Sequence, residues 1–576
     1  MREIVTIQAG GFANYVGAHF WNFQDELIGL AEETHGDPIY KNSPFNMDVL
    51  YRSGETQQGV LTYNPRLISI GLQGSLGSLS STGSLYNDSQ SIGSSDVITW
   101  TGNVSRCVTE PHKKNLFLQS LCDEPQDSSI STVEAHKESG GSQKQVQDRD
   151  LVDCLESGVT HWTDFSKVQY HPRSLCELYS SWTDVQKFDN YETGKDVLSE
   201  GSQKEELNER LRFFIEECDH IQGIQFVVDD SGAFSSVAAA YLEDIADEYT
   251  NVPVLLYTVR DPQAYMYGIS KKETVSRSLH DAVSFSRLSS YCKLMVPVGL
   301  PSLSRSKLSS FLQVKDEKLF HSSAVYAAAL HSISLPFRMD LHSPATSSTY
   351  VSGAVDVGGT IQMLVGQARQ NIVATLDVSM PAPSLTDEQG PGSILRSLHS
   401  LTPEIGEDAD DPQAVESLII HGVRHAGQWA SISRVNDSIY AAYEGGLPKP
   451  MFLHISAALC PLPIPLPFPS IFKNCVGQHG ELLGAPTEGA PTKGSLEISS
   501  IPVAARLRSS KAVVPLIQRR LDGLHKYGMQ RGAPGAGLLQ SWGFGKEEIE
   551  DMGEVLTKML MELDPHSQMS SDSDWD

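Results

Sequence analysis

A short β-branched run, a pair of glycines and a long helical pattern open this chain, as MREIVTIQAGGFANYVGAHFWN over Met1 to Asn22. Ile4, Val5 and Ile7 have the composition of a buried strand. Gly10 and Gly11 break the run and permit backbone angles that a side chain forbids. Val16, Phe20, Phe23, Leu27 and Leu30 follow at spacings of four, three, four and three, which puts them on one helix face against a core. A glycine turn that feeds a helix N-terminus presents free N–H groups and a positive dipole end, so it can hold an anion. The same turn can also simply reverse the chain.

Strand and helix patterns alternate further on. Ile224 to Val228 and Val254 to Val259 read as strands. Lys204 to Cys218 (Leu207, Leu211 and Phe214 on one face), Ser236 to Tyr249 and Thr274 to Tyr291 read as helices. That alternation predicts a mainly parallel sheet with helical crossovers. Lys511 to Tyr527 and Lys546 to Leu563 read as two further helices. Gln73 to Asp96 is Ser/Gly-rich and reads as a surface loop, and patterned sequence resumes over Val97 to Leu121. Asp123 to Asp150 is nearly devoid of large apolar residues and reads as a disordered insertion. Ala382 to Pro412, with Glu407, Asp408, Asp410 and Asp411, reads as a loop between domains. Thr487 to Thr492 reads as another loop, and Asp564 to Asp576 as a polar tail. The expected division is 1–122, an insertion at 123–150, 151–345, an α+β region at 346–500 with loop insertions, and C-terminal helices with a tail at 501–576.

With 576 residues the chain can bury a large core, and its net charge of −27 argues against nonspecific nucleic-acid binding. Its eight cysteines are far apart without a CxxC, which points to reduced thiols rather than a disulfide framework. The N-terminus has the pattern of neither a signal peptide nor a presequence. Met451 to Phe472 is apolar enough to suggest a membrane, but Pro461, Pro463, Pro465, Pro467 and Pro469 exclude a spanning helix. The expectation is an extended strap over the core, with partner docking as the alternative. His421 and His425 are spaced as two metal ligands on a helix would be, yet no third ligand is evident and Gly422 weakens a helix. They are expected to be ordinary solvated or core histidines.

Beyond the opening, YNPRLISIGL at Tyr63 to Leu72, ECDHIQGIQ at Glu217 to Gln225 and LPFR at Leu335 to Arg338 stand in the order of matching runs in tubulins. The chain resembles a tubulin across its first 340 residues or so, with insertions. The resemblance implies a tubulin-like doubly wound α/β sheet domain, then an α+β domain and C-terminal helices.

The resemblance fades in the nucleotide loops. Where tubulins read G-Q-C-G-N, this chain has Gly10, Gly11, Phe12, Ala13 and Asn14. The D-L-E that follows the Y-x-P-R strand is replaced by Gly71, Leu72 and Gln73. The glycine-rich G-G-G-T-G-S-G becomes Asp230 to Ser236, keeping Gly232 and Ser235. Asp229 and Asp230 bring negative charge to where a polyanion would sit, each unit repulsion about 4 kcal/mol at about 4 Å in a medium of effective dielectric near 20. At the place of the N-x-D that completes a neighbour's active site stand Ala324, Val325 and Tyr326. Gly10, Gly11, Asn14, Gly232 and Ser235 are the candidate remnants of a nucleotide site, with no catalytic residue, metal ligand or cofactor expected.

Eroded loops, a tubulin-like opening and the run WTDFSKVQYHPR at Trp162 to Arg173 together resemble the Misato family, with 1–122 as its segment II. That resemblance implies a cytoplasmic protein associated peripherally with the mitochondrial outer membrane, without a transmembrane helix. It implies a non-enzymatic role in mitochondrial distribution, morphology and fusion. The implied partners are outer-membrane fusion machinery, tubulin or the tubulin chaperonin. The alternatives are a divergent GTP-binding assembly protein and a tubulin-folding adaptor in microtubule and spindle organisation.

Overall fold

The computed structural model describes residues 2–55, 59, 61–79, 113–123, 147–179, 188–199, 201–266, 270–339, 346–347, 350–366, 370–385, 392–406, 411–487 and 489–564. Its first sheet contains β1 (Glu3–Ala9), β2 (Leu67–Leu72), β3 (Leu175–Leu178), β4 (Ile221–Asp229), β5 (Val254–Val259) and β6 (Leu294–Val298). They run in the order β3-β2-β1-β4-β5-β6, and every neighbouring pair is parallel. β1, β2, β5 and β6 are buried at every position, because both faces of a parallel sheet are covered. The strand order reverses between β1 and β4, where Ala9 is paired with Val228. A doubly wound sheet opens a crevice at such a reversal, outside the carboxyl ends of the strands.

The helices α1 (Gly11–Glu32), α2 (Ser202–Glu216), α3 (Phe234–Glu248), α4 (Lys271–Tyr291) and α5 (Leu319–Ser334) clothe this sheet. Leu207 and Leu211 of α2, Val237 and Leu242 of α3, and Leu279 and Val283 of α4 share one core with Val5, Ile7 and Phe226. On the other face, Val16 and Phe20 of α1 and Leu330 and Ile333 of α5 share a core with Ile4, Leu255 and Val296.

The same core continues into a second sheet. Its strands are β7 (Thr346–Ser347), β8 (Tyr350–Ser352), β9 (Thr375–Ser379), β10 (His399–Ser400), β11 (Val415–His421), β12 (Phe452–Ala458) and β13 (Val503–Ser509). The order is β10-β9-β13-β11-β12-β8-β7, with β8-β12 and β11-β12 parallel and the other pairs antiparallel. Leu376, Ile419 and Leu507 belong to that core, on the side of the sheet that packs on α5. The opposite face packs on α6 (Ile432–Glu444), through Val435 and Ile439 against Leu418 and Ile455. The two sheets are stitched where Met295 N donates to Ile372 O at 2.7 Å and Ala374 N to Met295 O at 2.9 Å. The chain then returns to the outer face of the first sheet, where α7 (Val514–Leu524) and α8 (Lys546–Leu563) join the core around α4.

Four expectations change. α1 is buried on all sides from Phe12 to Gln24, and not only along the stripe through Val16, Phe20 and Phe23, because α5, itself buried from Phe320 to Ser334, packs on it as well. Its polar residues are bonded internally: Asn22 Nδ2 donates to Phe165 O at 2.8 Å, and Gln24 Nε2 meets His331 Nδ1 at 2.8 Å. Met451 to Phe472 divides in two. Phe452–Ala458 is β12, an interior strand, and only the proline-rich half forms a buried strap, with Ile464, Phe468 and Ile471 in the core. Ala382 to Pro412 is more than a loop, since it contains β10 and the buried Leu401 and Thr402. Asp411 is buried there, accepting from Lys511 N at 2.9 Å. The division at residue 500 passes through the second sheet, because β13 lies between β9 and β11.

Several readings fall on residues outside the described set: the loop beyond 79, most of 97–121, the insertion at 124–146, Glu407, Asp408 and Asp410, and the tail from 565. His421 ends β11, with Nε2 2.9 Å from Ser332 Oγ and Nδ1 3.2 Å from Cys460 O. His425 stands in a strand and contacts Leu385 O at 2.8 Å. Both rings are held by protein groups, and the pair does not share a helix. Among the described residues no group of His, Cys, Asp or Glu could hold a metal ion, and no helix is long and apolar enough to cross a membrane.

Candidate functional site

The crevice lies where the topology puts it, between the carboxyl ends of β1 and β4, and two of the sequence candidates, Gly10 and Gly11, form its β1 side. Gly10 leaves β1 at φ 115° and ψ 160°, and α1 begins at the next residue. A Cβ on Gly10 would fall 2.4 Å from Asp229 Cβ, so glycine is required for β4 to come this close. Gly11 is exposed and has no neighbour within 4 Å of where its Cβ would be.

Asp229 ends β4 and turns its carboxylate onto the N-terminus of α1. Its Oδ2 accepts from Phe12 N at 3.4 Å, and its Oδ1 accepts from Ser231 Oγ at 2.8 Å and Ser231 N at 3.3 Å. The position a helix N-terminus offers an anion is thus taken by the chain's own carboxylate. Burial pushes the Asp229 carboxyl up to about 6, with the Asp230 charge adding to the rise against the Ser231 hydrogen bonds. Asp261, just beyond β5, is pushed up to about 7 by burial and by the charges of Asp229 and Asp316.

The remaining candidates are turned away from the crevice. Asn14 is buried, with Nδ2 donating to Ile70 O at 3.1 Å and Oδ1 accepting from Ser69 Oγ at 2.9 Å, so it ties α1 to β2. Gly232 adopts φ 79°, and its carbonyl oxygen is met by His280 Nε2 at 2.9 Å. Ser235 is buried and bonded to Gly232 O at 2.9 Å and Ser284 Oγ at 2.8 Å, which anchors the β4–α3 turn on α4. After β2, Ser75 Oγ occupies space that a side chain at Gly71 would need, 2.3 Å from its would-be Cβ.

One feature was not legible beforehand. Arg260, buried beyond β5, donates to Asp230 and to Asp281, each at 2.7 Å. Burial opposes the charge of Asp281, but Arg260 and Arg520 prevail and hold its carboxyl down at about 2. Asp230 is therefore paired with a buried guanidinium, whereas the carboxylate of Asp229 is turned to the N-terminus of α1. The cavity beneath this network is about 20 Å³, room for about one water. The adjacency of Arg260 and Asp261 to a strand end was a signal in the sequence; their partners were not.

Phe12 closes the other side, with its ring edge-on to Tyr326 at 5.8 Å. Ala324, Val325 and Tyr326 lie mid-helix in α5 at 0 % exposure, and Tyr326 Oη accepts from Leu300 N at 3.0 Å. The backbone at these positions is interior and is not presented to a neighbouring molecule.

Comparison with known proteins agrees with this architecture. Residues 2–123 match the family described as Misato Segment II tubulin-like domain, and residues 153–339 match the Tubulin domain family. The chain is 28% identical to Protein misato homolog 1 of Mus musculus, over 97% of each chain. It is 27% identical to Protein misato of Drosophila melanogaster, over 91% of this chain and 92% of that one. Protein dml-1 of Neurospora crassa is 29% identical over 68% of this chain and 64% of its own length. A doubly wound sheet carrying the tubulin-like segments, a segment II match at its start and relatives alike from end to end lead to one assignment: the chain belongs to the Misato family of tubulin-like proteins.

Proposed function

We propose that this chain is a non-enzymatic tubulin-fold scaffold that acts in mitochondrial distribution, morphology and fusion through protein partners, in the cytoplasm and peripherally at the mitochondrial outer membrane. The observation that carries the non-enzymatic half is Asp229, whose carboxylate occupies the N-terminus of α1. A phosphate entering there would displace a bonded carboxylate and meet a second acid at Asp261. The mitochondrial half rests on family membership, and its partner classes are outer-membrane fusion machinery, tubulin and the tubulin chaperonin.

The test is a thermal-shift titration of the full chain with GTP, GDP and Mg²⁺. A ligand at a hundred times its dissociation constant stabilises by about 2.7 kcal/mol. The expected result is no shift at millimolar nucleotide. A saturable, magnesium-dependent shift would replace the scaffold reading with that of a nucleotide-switched assembly protein. For the cellular half, depletion is expected to alter the mitochondrial network. Depletion that impairs tubulin folding and leaves mitochondria unchanged would move the function to the chaperonin adaptor.

A further inference from the structure

The outer surface of the C-terminal helices carries a groove that neither the nucleotide crevice nor the packing of the first sheet explains. It runs between α7 and α8 and has a volume of about 600 Å³. Leu521, Met529 and Met561 give it an apolar lining. Met561 is 48% exposed and Leu521 and Met529 are half-buried, so the lining faces solvent. α7 passes into a π-helical turn over His525–Met529, closed where Gln530 N donates to His525 O at 3.0 Å. Such turns are rare and frequently mark functional positions. This one brings Met529 onto the backbone of α8, and a Cβ on Gly553 would be 3.1 Å from both its Sδ and Cε. Methionine linings adapt to varied apolar partners.

Charge indicates what fits. Asp522, Glu550 and Glu554 line the groove and are exposed, against Lys558 and His525. Over its whole length α8 has the acids Glu547, Glu548, Glu550, Asp551, Glu554 and Glu562, and only Lys546 and Lys558 as bases. The sequence that follows α8, PHSQMSSDSDWD, is itself acidic and would be repelled. From Glu550 to Met561 the groove follows α8 for about 16 Å, or about three helical turns. We propose that this groove docks an amphipathic helix of a partner protein, its apolar stripe on Met529 and Met561 and lysines or arginines along its flanks. The inference does not depend on the nucleotide reading, and its test contains no nucleotide.

The probe is a fluorescein-labelled peptide of leucine and lysine, about three turns long, with leucines at positions i, i+3, i+4 and i+7. Its binding to the full chain is followed by fluorescence anisotropy at physiological salt. The expected result is saturable binding, weakened at least about tenfold by Met561→Glu and by the pair Glu550→Lys/Glu554→Lys. Asp153→Lys, an exposed charge change on another helix, is expected to leave the affinity unchanged. A peptide of the same composition in scrambled order is expected to bind at least about tenfold more weakly. Equal binding by the scrambled peptide, or no loss in Met561→Glu, would show generic charge attraction and overturn the proposal. So would displacement of the probe by a peptide of residues 565–576, which would assign the groove to the chain's own end. All the substituted positions are exposed, and an unchanged melting temperature establishes that the variants are folded.

Discussion

Gly10 and Gly11 are adjacent in sequence, and replacing each by alanine is expected to have opposite effects. Gly10→Ala forces a side chain onto φ 115° and ψ 160°, a region essentially restricted to glycine, at a cost of order 1–3 kcal/mol. It also places a methyl 2.4 Å from Asp229 Cβ. Both atoms are fixed to backbone, so no rotamer change relieves the contact and the β1–β4 edge must spread. Overpacking of this kind costs roughly a further 1–3 kcal/mol, for a total near 4 kcal/mol. Gly11→Ala meets nothing within 4 Å and lies in the first turn of α1, where alanine gains about 0.5–1 kcal/mol over glycine. Unfolding entropy of about 2.1 cal/mol/K per residue amounts to about 1.2 kcal/mol/K for the whole chain. Scanning calorimetry should therefore show Gly10→Ala melting about 3 °C lower and Gly11→Ala unchanged or slightly higher. A fall in Gly11→Ala equal to that in Gly10→Ala would mean that something packs on Gly11, and the crevice described above would be wrong. A Gly10→Ala midpoint within about 0.5 °C of the parent would refute the close approach of β4.

Further outcomes are equally direct. Asp229 ionises at about 6 in the fold, above its unfolded value, so its charged form destabilises the fold. Asp229→Asn should stabilise by up to about 3 kcal/mol above pH 6, an advantage that shrinks as pH falls and vanishes near the unfolded carboxyl value, as denaturation across pH would show. His19, His421 and His454 are buried neutral, burial pushing them down to about 3, 4 and 4. Their contribution is full above the unfolded histidine value near 6.5 and is lost as pH falls toward their folded values. By pH 5 each should cost about 2 kcal/mol, and His454→Gln should flatten the decline in melting temperature between pH 7 and 5. Restoring an acid with Val325→Asp buries an unpaired charge at a position 0 % exposed, so it should lower solubility and melting temperature without conferring GTP hydrolysis in a phosphate-release assay.

The parts of this fold legible in the sequence were those fixed locally. The strand at Glu3–Ala9, the glycine turn and the helix after it announced themselves through composition and spacing, as did α8 with Ile549, Met552 and Leu556 on its inner side. Burial from more than one direction was not legible. The stripe through Val16, Phe20 and Phe23 is real, but His19 and Gln24 are equally buried, because α5 is laid across α1 from 300 residues away in the chain. β12 was hidden inside an apolar run whose prolines begin only at Pro461. In the crevice, the resemblance to the tubulin nucleotide loops placed Gly10, Asp229 and Gly232 near one another. That Asp229 binds α1 while Asp230 binds Arg260 depends on strand register and backbone angle, which neighbouring residues alone do not specify.

The position of β13 ties the completeness of the protein to its last quarter. Val503–Ser509 pairs with Thr375–Ser379 on one side and Val415–His421 on the other. During N-to-C synthesis those two strands exist long before the one that joins them, each with an open edge of unpaired backbone groups. A stop codon between Ala458 and Val503 removes the middle of a sheet and leaves two facing edges, either of which can template association with another chain. Shortening this protein from its C-terminal side is thus expected to give aggregation rather than a smaller working unit, and a newly made chain has reason to be sheltered until that strand has been supplied.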